Sequence, residues 1–203
     1  MTIGKGEAWG DTVPRPRPLR VAADDADLAE RLDDGSGTPT GVSSGDLLRT
    51  LGGGSHAGST EVLRLPVDLV RVRLDDEEPI PAVAHVVIAE PWWRGGRLRG
   101  PVVVVMNAEF LGDLDVAPRG HPNDGRVEIL ELDATLGIRQ RLQMRRRARS
   151  ASHLPHPLVA TRSVRRADRE FDRPLSVVVD GRRRGRARRV RVEVEPDAAV
   201  VHV

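Results

Sequence analysis

Two runs rich in β-branched residues, Val102–Met106 and Val127–Leu132, enclose the polar residues 107–126. Runs of this kind pack well on a pleated, buried surface and read as strands. The Asn123-Asp124-Gly125 triplet between them is a strong turn signal, because glycine tolerates positive φ and Asx side chains bond their own backbone. The stretch is therefore constrained to strand, structured loop, tight turn and strand. A loop carrying Asn107, Asp113, Asp115, His121 and Asp124 between buried strands is the first place to look for chemistry.

What surrounds this stretch points the same way. A chain of 203 residues suits one domain, or a domain with a small appendage. Aromatic residues make up only 2%, so the core must be built from Val, Leu and Ala, which favours a β-rich fold. Cysteine is absent, which excludes disulfides and thiolate zinc sites. The first residues lack an apolar segment of signal-peptide length, and no stretch approaches about 18 consecutive apolar residues, so a soluble, cytoplasmic protein is expected. Charge is unevenly placed: residues 138–191 carry a net +14, residues 1–137 a net −9 and the last twelve a net −3. Asymmetry of this size calls for an anionic partner or for two halves that attract each other.

Residues 1–20 are polar, with Pro14, Pro16 and Pro18 alternating with arginine, and predict an extended arm that Trp9 could anchor. Residues 24–32 predict a short helix capped by Asp24 or Asp25, followed by a Gly/Ser/Thr/Pro linker over 33–43. A second short helix is expected over 45–52, closed by Gly52. Gly41-Val42-Ser43-Ser44-Gly45 satisfies the G-x-S-x-G spacing of a nucleophile elbow but follows the expected linker rather than a strand. Gly53–Thr60 has phosphate-loop glycine spacing with Ser59 in place of the lysine, and reads as a surface loop. Strands are expected over 61–74, 80–89, 158–165, 175–179, 190–194 and 200–203, with His85 packed in the core rather than acting as a ligand. The best helix pattern covers 133–150, capped by Asp133 or Thr135 and crowded with arginine in its second half. Trp92-Trp93, followed by Arg94, is unusual in so aromatic-poor a chain. The indoles are expected to close one end of the fold, the alternative being a membrane interface or a lipid acceptor site.

The central stretch also carries a family pattern. Asn107, Gly112, Val116-Ala117-Pro118, Pro122, Asp124-Gly125 and Glu128-Ile129 together resemble the C-terminal half of the bacterial diacylglycerol kinase and sphingosine kinase family. The likeness continues through His153, His156-Pro157 and Val177–Gly181, and Asp46, Arg49, Thr50, Leu51 and Gly52 match the family's G-N-D-F-A-R-T-L-G motif, with Gly45 in place of the Asn. The resemblance implies a mainly β fold: a two-layer β-sandwich over 61–203 with one basic helix. It leaves 1–60 as an arm and a small, irregular α/β remnant of the nucleotide-binding domain. Ligand residues are expected at Asn107 and Arg49, which fall in the matched motifs, and at Trp92 and Trp93, whose amphipathic rings beside arginines suit a lipid acceptor. A structural Mg²⁺ loop would use Asp124, with His121 and Arg126 contributing backbone carbonyls.

Two departures from the family pattern shape the functional expectation. The family's phosphate-binding G-G-D-G-T motif, with the strand-helix units around it, is not found in the first 44 residues, so ATP binding is not expected. In the family's D-G-E hairpin the Glu is implicated as the base for the acceptor hydroxyl, and here Arg182 follows Asp180-Gly181. A guanidinium is permanently protonated and has no lone pair to accept with, so Arg182 cannot be a general base; Asp180 remains, more as a turn-former than a catalyst. Phosphoryl transfer needs a nucleotide cradle, a bridging metal and a positioned acceptor. The expected protein is thus catalytically silent on its own, binding a lipid or anionic ligand, contacting a membrane peripherally, or pairing with a copy of itself or a nucleotide-domain subunit. One alternative is a lipid kinase completed by such a partner. The other is a phosphate-backbone nucleic-acid binder using the arginine-rich helix and Arg182–Arg191, disfavoured because no aromatics are interleaved for base stacking.

Overall fold

A computed structural model describes residues 9–53 and 59–203. The chain runs β1 (Asp11–Pro14), β2 (Arg20–Ala22), α1 (Asp25–Asp33), β3 (Thr40–Val42), α2 (Asp46–Thr50), β4 (Glu61–Leu74), β5 (Ile80–Ala82) and β6 (His85–Ala89). Two 3₁₀ turns, Trp92–Arg94 and Gly96–Leu98, lead to β7 (Val102–Met106), β8 (Phe110–Leu111), β9 (Leu114–Asp115) and β10 (Val127–Leu132). Then come α3 (Ile138–Ala148), β11 (Val159–Val164), β12 (Arg166–Val179) and β13 (Arg182–His202). The fold is mainly β, as the β-branched composition predicts.

Eleven strands form one hydrogen-bonded sheet, whose main path runs β1-β4-β13-β12-β6-β7-β10-β11 and is antiparallel throughout, while β8 and β9 pair only with each other. The sheet folds over on itself. Val70 of β4 and Val127 of β10, five positions apart in that order, face the same small internal space, and Asp68 on β4 accepts a hydrogen bond from the Gly125 N–H at the mouth of β10. Breaks in register in β12 and β13, between Glu170 and Leu175 and between Glu195 and Ala199, bend these long strands as bulges do. The two layers are thus one continuous sheet rather than two separate ones.

Strand β7 shows why the VVVVM run dominates the fold. All five residues are buried. Val103 and Val105 point into the space inside the folded sheet with Ile88, Ile129 and Val177, while Val102, Val104 and Met106 face outward against Leu130, Leu136 and Met144. A strand covered on both faces needs an unbroken apolar run, not an alternating one.

Residues 9–53 are more ordered than the sequence predicts. Trp9 does anchor the arm, its Nε1 donating to the Pro66 carbonyl at 3.0 Å, and β1 pairs with β4. The expected linker over 33–43 contains β3, which lies parallel to both β2 and the end of β13. Helix α1 joins β2 to β3, so a strand-helix-strand unit exists where none was expected; β2 and β3 are only three residues long and too short to show a period. Through β1 and β3 this segment shares the sheet of the rest of the chain. Most of Gly53–Thr60 lies outside the described residues.

Helix α3 is shorter than its sequence pattern. It starts at Ile138 behind Gly137, whose N–H is held by the Gln140 side chain at 3.0 Å. Asp133 instead bonds the Thr135 N–H and hydroxyl, closing a local turn that competes with helix over 133–137.

Candidate functional site

Outside β6, β7 and β10 lies a cleft of about 650 Å³, roofed by α3 and flanked by the β8–β9 hairpin. Its walls are apolar: Val102, Val104, Leu114, Leu130, Leu142 and Met144. One end is polar. There Asp46, at the start of α2, meets His85, at the start of β6, beside the Asp180-Gly181 turn.

Asp180 builds this end from the backbone outward. It sits at positive φ in the two-residue turn between β12 and β13, next to Gly181, the arrangement a tight hairpin requires. Its buried carboxylate accepts from the N–H groups of Val83, Ala84 and His85 at 2.8, 3.0 and 2.8 Å. Asp180 therefore pins the start of β6, and burial still raises its pKa to about 6. Asp25, the first residue of α1, is its neighbour. It accepts from the Asp46 and Leu47 N–H groups at 2.6 and 3.2 Å, capping α2 from another helix. Gly45 makes this approach possible: at φ +135° it has no side chain, and a Cβ there would lie 2.1 Å from Asp25 Oδ1. Burial, then the charge of Asp180, pushes Asp25 up to about 7.

His85 is buried, and that pulls its pKa down to about 4, so the imidazole is neutral at physiological pH. Its Nδ1 lies 3.3 Å from Asp46 Oδ2 but off the line a hydrogen bond needs, and so stays without a hydrogen-bond partner. The other Asp46 oxygen accepts from the Gly112 N–H at 2.8 Å. The sequence reading of His85 as a packed core residue is half right: it is packed, and its ring also lines the cleft. No local pattern marks it, because Asp46 and Asp180 come from distant parts of the chain.

The strand-turn-helix from β2 into α1 is the place where a phosphate loop would put its N–H groups. The chain fills those positions itself. Asp24 caps α1 by accepting from the Asp27 N–H at 2.8 Å, and Asp27 reaches back to the Ala23 N–H at 2.9 Å. Three carboxylates, Asp24, Asp25 and Asp27, surround a helix start that has no glycine. Arg182 answers this charge: it pairs with Glu30 at 3.1 Å and Asp24 at 3.2 Å, and Arg184 joins it on Glu30.

The other expected site residues are dispersed. Asn107 is buried, its amide donating to the Val83 carbonyl at 2.8 Å, and brackets β7 to the β5–β6 connection rather than facing the cleft. Arg49 does not line the cleft; it bonds the carbonyl of Gly112, a cleft residue, and stacks 4.0 Å over Phe110. Trp92 and Trp93 do not close the fold. They stand 78% and 52% exposed, with rings edge to face at 5.9 Å. The G-x-S-x-G serine does follow a strand, β3, but the Ser43 hydroxyl donates to the Ala22 carbonyl at 2.9 Å.

The Asn123-Asp124-Gly125 turn is organised differently from a Mg²⁺ loop. Its centre is Asp68, which sequence reasoning missed, fully buried on β4 and bonded to the N–H groups of Gly125 and Asp197 at 2.7 and 2.9 Å. Asp124 accepts from the Arg126 N–H at 2.9 Å, and Arg126 itself reaches Ser163. His121 packs on Trp9 at 4.6 Å, and its Nδ1 accepts from the Asn123 N–H. With the carboxylate oxygens facing N–H donors, this donor set does not fit a hard cation, which needs six or more converging oxygens. Among the described residues no three His, Asp or Glu side chains converge as a metal site would require. In the Arg182–Arg191 segment, Arg182, Arg184, Arg189 and Arg191 are paired with acids. No helix among the described residues is long and apolar enough to cross a membrane.

No family model matches the chain, and no curated protein matches it. Solved structures do. One described as "a putative diacylglycerol kinase from Bacillus anthracis str. Sterne" is 12% identical over 90% of this chain and 76% of that chain, with a TM-score of 0.66. A second structure of the same description is 13% identical with the same coverage and a TM-score of 0.65. A third, described as a diacylglycerol kinase from the same organism, covers 90% of this chain and 75% of that one at 13% identity and a TM-score of 0.59. Similarity at this identity carries the fold.

Proposed function

We propose that this chain, built on the diacylglycerol-kinase fold, binds a lipid bearing a free hydroxyl in the cleft beneath α3 and does not transfer phosphate on its own. The observation that carries this reading is the shape of the cleft: apolar walls ending at a neutral, buried imidazole whose Nδ1 has no partner. Acyl chains match such walls, and a hydroxyl is a group that can exchange a hydrogen bond with that nitrogen.

The silent half of the proposal rests on charge. A nucleotide phosphate approaching α1 would meet the carboxylates of Asp24 and Asp27, with the N–H groups of Ala23 and Asp27 already taken. Next to the Asp180-Gly181 turn stands a guanidinium that cannot remove a proton, engaged with Glu30 and Asp24. Asp180 holds three N–H groups in place and is a positioning residue.

Calorimetry with short-chain diacylglycerol tests the first half. The protein should bind it, and Leu114→Arg, which fills the cleft from its rim, should abolish the heat; no binding by the unaltered chain would sink the lipid reading. Incubation with labelled ATP, Mg²⁺ and diacylglycerol tests the second half, and phosphatidic acid formed above background would sink the silent reading.

A further inference from the structure

We infer that the face carrying Trp92, Trp93, Leu98 and the outer side of α3 docks on an anionic lipid bilayer, placing the mouth of the cleft at the membrane surface. Five of the eight exposed large hydrophobic side chains among the described residues lie here: Trp92, Trp93, Leu98, Ile138 and Leu142. Exposed apolar groups concentrated on one face mark an interaction site rather than ordinary surface. Ile138 and Leu142 are four residues apart on α3 and so share one side of it.

The two parts of this face are held together by one buried side chain. Arg141 of α3 sends its guanidinium inward to the carbonyls of Leu136 at 2.8 Å, Asp133 and Arg97 at 3.0 Å each, and Gly100. This fixes α3 against the loop that follows the tryptophans. Arg97 lines both the cleft and the shallower depression beside Trp92, so the tryptophan loop and the cleft mouth are contiguous.

Charge selects the partner. Neither residues 92–101 nor α3 contain an acid, while they hold Arg94, Arg97, Arg99, Arg139, Arg145 and Arg146. None of these six forms an ion pair among the described residues, whereas arginines across β12 and β13, such as Arg166, Arg173 and Arg189, are paired with acids. Unpaired guanidinium groups around exposed indoles match an anionic headgroup layer, where amphipathic rings sit at the polar-apolar boundary. A nucleic-acid partner would leave the aliphatic side chains Leu98, Ile138 and Leu142 without a role. The inference stands whether or not the cleft takes an acyl chain, because Trp92, Trp93, Arg94 and Ile138 lie outside the cleft, with Leu98, Leu142 and Arg145 at its mouth.

Sedimentation of the full chain with phosphatidylcholine vesicles, with and without phosphatidylglycerol, tests this. Binding should require phosphatidylglycerol and fall with salt. Trp92→Ala with Trp93→Ala should lower partitioning about tenfold or more, and each of Arg94→Ala and Arg145→Ala about fivefold. Arg166→Ala, on the other side of the sheet, should leave it unchanged. Diacylglycerol calorimetry on the double tryptophan variant should match that of the unaltered chain, which checks that the variant is folded and separates this face from the cleft. No vesicle binding, equal loss with Arg166→Ala, or duplex DNA binding weakened by the same substitutions while vesicles are ignored would overturn the inference.

Discussion

At the scale of single residues, the polar end of the cleft is a set of buried groups whose protonation is coupled to folding. Asp25 titrates near 7 in the fold against an ordinary value of 3.8, so the folded state holds a proton that the unfolded chain has lost between those values. Its contribution is fully present below about pH 4 and disappears as pH rises through about 7. Asp180 and Asp68, both raised to about 6 by burial, act in the same direction. His85 acts in the opposite one: held neutral, it contributes above its unfolded value of 6.5 and loses that contribution as pH falls toward 4. Replacing Asp25 by Asn removes one acid and keeps an oxygen for the α2 N–H groups. Relative to the unaltered chain, the variant should gain on the order of 4 kcal/mol between pH 4 and pH 8 in urea unfolding. A gap that does not change with pH would mean that Asp25 ionises freely in the fold.

At the scale of elements, α3 is held less by its own apolar stripe than by Arg141. Its sequence, IRQRLQMRRRA, is poor in core residues, and only Arg141, Met144 and Ala148 are buried. Substituting Arg141 with Met keeps much of the volume but leaves the inward-facing carbonyls of Leu136, Arg97 and Gly100 without their donor, a loss of about 2–4 kcal/mol. Hydrogen exchange should then quicken in both α3 and residues 95–100, and no change in the latter would deny the staple. The same element shows where sequence reading fails. Residues 133–137 look helical, yet the Asp133 side chain captures Thr135 and delays the helix by a turn.

At the scale of the whole molecule, residues 9–53 and 59–203 share one sheet, and this has a measurable consequence. Leu47 on α2 and Ile88 on β6 are both fully buried, in separate clusters. Leu47→Ala and Ile88→Ala should each cost about 2–5 kcal/mol and shift a single unfolding transition seen by circular dichroism and fluorescence. Two separate transitions would show that the amino-terminal segment is an independent unit despite β1 and β3.

The sequence by itself determined the β-rich core. β-branched runs at Val102–Met106 and Val127–Leu132 have few other ways to bury themselves, and the Asp-Gly pairs at 124–125 and 180–181 demand tight turns by local backbone chemistry. It also exposed the cation at Arg182, since side-chain identity alone excludes a base there. Only the tertiary structure decided the rest, because burial and desolvation are properties of surroundings. His85 lines a cleft because α2 and the β12–β13 turn meet beside it. Asp68, inconspicuous between Val67 and Leu69, organises a turn 57 residues away. Trp92 and Trp93 read in the sequence first as a lid on one end of the fold, and only the packing shows that they stand in solvent.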